Sequence, residues 1–132
     1  MMRNVVKIAS IKENLREVEK LIDNFNEIEK LDEGLYGKVL LATIEAANNA
    51  IVHGNKLDPE KTVIVEIGRG IDGIEIYVED QGKGFDYMRI PDPTAPENIE
   101  NIHGRGVFLM KQLSDEVNFY KNGTKVQILF KI

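Results

Sequence analysis

Cysteine is absent from the chain, which excludes disulfides and thiolate metal sites and fits a reducing compartment. Long apolar runs are missing too. The start, Met1-Met2-Arg3-Asn4-Val5-Val6-Lys7, is too short an apolar stretch for a signal peptide, and no later segment reaches membrane-spanning length, so a cytoplasmic protein without membrane contact is expected. There is no basic excess: the formal net charge is −5 and the pI about 5.1, with mixed signs along the chain and no basic stripe. That argues against direct nucleic-acid binding, which needs clustered Lys and Arg to neutralise phosphates. Low-complexity segments and internal repeats are also lacking, and the one abrupt shift in composition is around Pro91-Asp92-Pro93-Thr94-Ala95-Pro96. At 132 residues the chain is expected to form a single domain with a core that needs no staples.

What is present reads as alternating strands and helices. Residues 3–9 form a short first strand, and Ser10-Ile11-Lys12-Glu13 has the form of a capping box opening a helix. In that helix Leu15, Val18, Ile22, Phe25 and Ile28 recur at spacings of three and four and make one apolar stripe. A second helix is predicted over residues 35–53, with Leu40, Ile44, Ala47 and Ile51 facing a core and Gly54 as a C-terminal cap. Residues 62–69 and 74–80 are strands joined by Gly70-Ile71-Asp72-Gly73, a hairpin turn. Residues 117–121 and 125–132 are strands on either side of Asn122-Gly123-Thr124. Between these hairpins lie a short helical turn at 87–90, a Pro-interrupted stretch running to Ile102, and an apolar helix entered through His103-Gly104-Arg105-Gly106.

Three places carry chemistry. Glu45, Asn49 and His53 follow one another at i+4, hence on one helix face. A solvated face explains them, but Ala46, Ala47, Ala50, Ile51 and Val52 around them imply burial, where a carboxylate and an amide need partners. Asp80 ends an alternating strand (Ile74, Ile76, Val78) and runs into Gly82 and Gly84. That run is either an ordinary turn or a loop that lets backbone approach a flat or phosphorylated ligand. Gly104-Arg105-Gly106 is either a hinge into a core helix or an anion site, with free N–H groups, the helix dipole and a guanidinium together. The stretch before it is a lid over about residues 91–106 or an inert connection. Taken together, the three describe one ligand with a polar group for Asp80, phosphates for the helix entry, and a divalent ion suited to an amide oxygen. ATP fits that description. Neither G-x-x-x-x-G-K-[ST] nor G-x-G-x-x-G occurs, so P-loop and dinucleotide folds have no support.

At these positions the chain resembles the GHKL nucleotide-binding superfamily with the Bergerat fold, and within it the bacterial anti-sigma factor serine kinases. Glu45-Ala46-Ala47-Asn48-Asn49-Ala50 continuing to His53-Gly54 is similar to the family's N-box. Asp80-Gln81-Gly82-Lys83-Gly84-Phe85-Asp86 is similar to its first glycine box, and His103-Gly104-Arg105-Gly106-Val107-Phe108-Leu109-Met110 to its second. Gly123-Thr124 matches a Thr near the start of the last strand. The resemblance covers essentially the whole chain and implies an α+β two-layer sandwich, a mixed, largely antiparallel sheet covered on one face by helices, with an ATP lid.

By that resemblance Glu45 is the general base, Asn49 the Mg2+ ligand, and Asp80 the acceptor for the adenine amino group with Thr124 in support. Gly82, Gly84, Gly104 and Gly106 shape the backbone around ATP, and Arg105 holds phosphate. His53, Phe85, Val107 and Phe108 complete the nucleotide-binding set. The implied function is a serine/threonine protein kinase that phosphorylates a small STAS-type anti-sigma-factor antagonist and engages a sigma factor, as a homodimer. The alternative is a nucleotide-gated binding module that holds its partner without phosphotransfer. A histidine kinase would need a dimerisation helix with a phosphoacceptor His, and the first helix has none. A piece of a repair or topoisomerase machine is not expected, because no transducer domain follows Ile132.

Overall fold

A computed structural model describes residues 3–84 and 102–132, and of residues 102–105 the backbone only. The helical turn at 87–90, most of the expected lid and Phe85 lie outside the described residues. Among the described residues five strands form one sheet: β1 (Arg3–Ala9), β2 (Thr62–Arg69), β3 (Gly73–Glu79), β4 (Glu116–Tyr120) and β5 (Lys125–Lys131), in the order β1-β2-β3-β5-β4. The helices α1 (Leu15–Glu29), α2 (Glu33–Asn49) and α3 (Ile102–Leu113) form the second layer of the α+β sandwich. Every neighbouring strand pair is antiparallel, so among the described residues the sheet has no parallel component.

Period-two alternation gives the sheet a wet face and a dry face. Val65 pairs with Val78 and Val78 with Val126; Ile67 pairs with Ile76 and Ile76 with Ile128. All six are buried. Opposite them Val18, Ile22 and Phe25 of α1, Val39 and Ala47 of α2 and Met110 of α3 close the core. Each of these Val, Ile, Phe and Met side chains contributes about 1.5–3 kcal/mol on burial. The wet face carries the rung Glu66, Tyr77, Gln127, Asn118. There Gln127 Nε2 donates to the Tyr77 hydroxyl at 2.7 Å, while Arg3 and Lys125 lie over the Tyr77 ring at 5.3 and 5.1 Å from its centroid.

Local chemistry departs from the sequence expectations in four places. Ser10 and Glu13 do not form a capping box. The Ser10 side chain is fully buried and donates to the Lys61 carbonyl at 2.8 Å, and α1 is entered through a 3-10 turn at Lys12–Asn14 without a side-chain cap. On α1 the apolar stripe bends, so that Leu21 is buried while Ile28 is 71% exposed. Helix α2 begins two residues earlier than expected, where Asp32 Oδ1 accepts from the Leu35 N–H at 2.9 Å as an N-cap. It ends at Asn49, and a single wide π turn, Ala50–Gly54, carries the chain on to Asn55. Gly54 is not a left-handed cap. Direction reverses instead through Lys56 and Leu57, at φ 54° and 60°.

Candidate functional site

The end of α2, the π turn, the residues after β3, the start of α3 and the β4–β5 corner surround a cavity of about 240 Å³. Its floor is apolar. Val78, Val107, Met110, Phe119 and Val126 line it, and its three strand residues, Val78, Val126 and Phe119, are register partners on the dry face of the sheet. Polar groups stand at its rim: Asn49, His53, Lys56, Asp80 and Thr124. A concave apolar slot with a few placed polar groups suits a flat heterocycle bearing a charged tail.

Asp80 is positioned by its neighbours on both sides. Its N–H donates to the Thr124 carbonyl at 2.8 Å, which joins the end of β3 to the turn before β5. Its Oδ1 accepts from the Gly82 N–H at 2.8 Å. Burial pushes the Asp80 carboxyl above its ordinary value, the Gly82 hydrogen bond partly opposing the shift, and Glu79 adds to it. The π turn then comes very close: a Cβ at Gly54 would stand 2.4 Å from Asp80 Oδ2, and one at Gly82 would stand 2.1 Å from the Gly54 carbonyl oxygen. Gly84, at φ 83°, lines the cavity under the β4–β5 corner. The Thr124 hydroxyl donates to the Lys121 carbonyl at 2.8 Å and so fixes that corner.

At the other end Asn49 is 8% exposed, and its amide nitrogen has no hydrogen-bond partner among the described residues. A buried amide left without a partner costs about 1–3 kcal/mol. A Cβ on Gly106 would come within 2.3 Å of that nitrogen. The second glycine box thus brings α3 against α2 and leaves the Asn49 amide room to turn. Burial, with Lys56 nearby, lowers the pKa of His53 and keeps the ring neutral near pH 7.

Of the residues expected from sequence, Asn49, His53, Asp80, Gly84, Val107 and Thr124 line the cavity. Gly82 and Gly106 act by close approach. Glu45 is half-buried one helical turn before Asn49 and outside the cavity wall, and Phe108 is half-buried and also outside it. Gly104 and Arg105 fall inside the first turns of α3, not ahead of it; the Arg105 side chain lies outside the described residues. Sequence reasoning missed Lys56, Met110 and Phe119 as cavity residues. Met110 stood in the quoted glycine box, whereas Lys56 and Phe119 come to the cavity only through the left-handed reversal and the β4–β5 pairing.

Among the described residues no group of three or more His, Cys, Asp or Glu is arranged to hold a metal ion. Asn49 is then a single hard donor, which fits a magnesium ion that takes its other ligands from phosphates and water.

Residues 8–130 match the histidine kinase-like ATPase domain family, and the chain belongs to that family. It is 38% identical over 91 residues to the anti-sigma F factor of Clostridium perfringens strain SM101, a stretch covering 64% of each chain. It is 38% identical over 90 residues to the serine-protein kinase RsbW of Staphylococcus epidermidis, covering 61% of this chain and 55% of that one. The chain thus spans less than two thirds of the curated relatives it matches. In three dimensions it is similar to the histidine kinase domain of the Erythrobacter litoralis EL346 blue-light activated histidine kinase, with a TM-score of 0.51 at 21% identity over 92% of this chain and 60% of that one. That likeness bears on the fold. Among the described residues no helix is long and apolar enough to cross a membrane.

Proposed function

We propose that the cavity binds ATP with magnesium and that the chain is a cytoplasmic serine/threonine protein kinase of the anti-sigma factor type, phosphorylating a small STAS-type antagonist. The observation that carries this reading is the pairing of Asp80 with Gly54 at one end of an apolar slot and, at the other, the buried Asn49 amide, which has no partner among the described residues. A carboxylate over an apolar floor accepts from an exocyclic amino group, and the far end receives phosphates. The printed names of the relatives, anti-sigma F factor and serine-protein kinase, support the same reading. A sigma factor as second partner, a homodimer and a lid over about residues 91–106 belong to it as well.

Asn49 would hold magnesium, which supplies neutralisation of phosphate charge. The chain's own part is positioning. Asp80 and the floor fix the base, the glycine contacts keep the backbone close to the nucleotide, and Glu45 receives the proton of the attacking Ser or Thr hydroxyl. The hydroxyl oxygen bonds to the γ-phosphorus, the bond from that phosphorus to the β–γ bridging oxygen breaks, and ADP leaves. Arg105 is assigned to phosphate.

One observation favours a second reading. Glu45 stands outside the cavity wall, as a nucleotide-gated binding module without phosphotransfer would allow. Transfer from radiolabelled ATP to candidate antagonists, comparing wild type with Glu45→Ala, separates the two. The kinase reading expects labelled antagonist with wild type and loss of transfer in a variant that still binds ATP. No labelling by wild type, with nucleotide bound, would leave the binding module.

A further inference from the structure

Asn55 does not line the cavity, yet it is 1% exposed and fully committed. Its Nδ2 donates to Ser10 Oγ at 2.7 Å and to the Thr62 carbonyl at 2.9 Å, and its Oδ1 accepts from the Gln81 N–H at 2.8 Å. Thr62 answers from the other side: its N–H donates to Gln81 Oε1 at 2.7 Å. Ser10, itself fully buried, is anchored on the Lys61 carbonyl. One amide therefore ties the end of β1, the start of β2 and the π turn to the peptide that joins Asp80 to Gln81.

That peptide decides where the Asp80 carboxylate points. Asp80 has its own N–H on Thr124 and its Oδ1 on Gly82. The Gly82 anchor lies in the turn itself and would move with it, and the Thr124 anchor holds the backbone of Asp80 on the β5 side only. Asn55 links the Gln81 peptide to the ends of β1 and β2, beside the Thr62 N–H on the Gln81 side chain, and it follows Gly54, whose missing Cβ leaves room for Asp80 Oδ2. A buried amide making three bonds in fixed directions holds such a turn better than packing does, because each bond is lost outright when the turn shifts.

We propose that Asn55 is a positioning residue for base selection: by holding the Gln81 N–H it fixes the Asp80 carboxylate where it accepts from the amino group of a purine. This rests on the ATP-site reading above. Loss of Asn55 should weaken binding of a nucleotide with that amino group and leave unchanged the binding of one without it. General destabilisation would weaken both alike.

The test compares ATP with purine riboside 5′-triphosphate, which lacks the 6-amino group, by calorimetry with magnesium on wild type and Asn55→Ala, each checked for folding by circular dichroism. Wild type should prefer ATP, and Asn55→Ala should lose about tenfold of that preference through weaker ATP binding alone. An unchanged preference in folded Asn55→Ala would overturn the positioning role and leave the ATP site standing. No preference in wild type would remove Asp80 as the base reader, and the proposal with it. Where Asn55→Ala does not fold, Ser10→Ala, which removes one acceptor of Asn55 far from the cavity, carries the same comparison. A reduced preference supports the proposal and an unchanged one overturns it.

Discussion

Gly54 and Asp80 are in such close contact that a single added Cβ would lie 2.4 Å from the carboxylate oxygen, so the last residue of the π turn and the residue after β3 form one unit. Gly54→Ala must displace the carboxylate or the turn, and the turn is held by Asn55. The carboxylate is expected to move, with a cost of about 1–3 kcal/mol as for other overpacked sites. Titration of ATP should show affinity reduced at least tenfold with the fold retained; wild-type affinity in Gly54→Ala would contradict the contact's role.

Gly106→Ala acts at the opposite end. The added Cβ meets the end of a side chain, the Asn49 amide at 2.3 Å, and a side chain can swing aside. The fold should therefore survive with a small loss in melting temperature, while the gain in ATP affinity on adding magnesium is largely lost. Calorimetry with and without the metal reads this directly, and an undiminished magnesium effect would remove Asn49 from the metal site.

The raised pKa of Asp80 has two consequences of opposite kind. In the folded protein the proton is held more tightly than in the unfolded chain, whose carboxyl has the ordinary value of 3.8. The stability this group contributes is present below that unfolded value and is lost as pH rises through the folded one. Asp80→Asn keeps the Gly82 hydrogen bond without the buried charge, so in the absence of nucleotide it should melt higher than wild type at neutral pH, with the difference vanishing at acid pH. ATP binding runs the other way. It needs the charged acceptor and should fall away, on acidification, at a higher pH than an ordinary carboxylate would give. A variant less stable than wild type at neutral pH would contradict the burial.

The core makes a simpler prediction. Ile76 is fully buried in β3 between Ile67 and Ile128, and Ile76→Ala should cost about 2–5 kcal/mol in urea unfolding. A loss below about 1 kcal/mol would mean that the central rung is not the packed centre of the sheet.

Much of this was legible in the residues because periodicity and glycine spacing are local signals. Ile74, Ile76 and Val78 announce a strand with Asp80 at its end, and Asn49 one turn ahead of His53 announces a polar face on a buried helix. Contacts far apart in sequence were not legible. Ser10 looked like a helix cap because Glu13 follows at the right spacing, but Asn55, 45 positions on, takes its hydroxyl into a buried network. Gly54 looked like a cap because glycine often ends helices, and only the approach of Asp80 explains it. Lys56 and Leu57 reach the left-handed region without glycine, so nothing in their identity marks the reversal that brings Lys56 to the cavity.

The central claim is that Asp80 reads the base of ATP in this cavity, and the most direct measurement is calorimetric titration of magnesium-ATP into wild type and Asp80→Asn side by side. Wild type should bind one nucleotide per chain, and Asp80→Asn, correctly folded, should show no measurable binding. Equal affinity in the two proteins would contradict the claim.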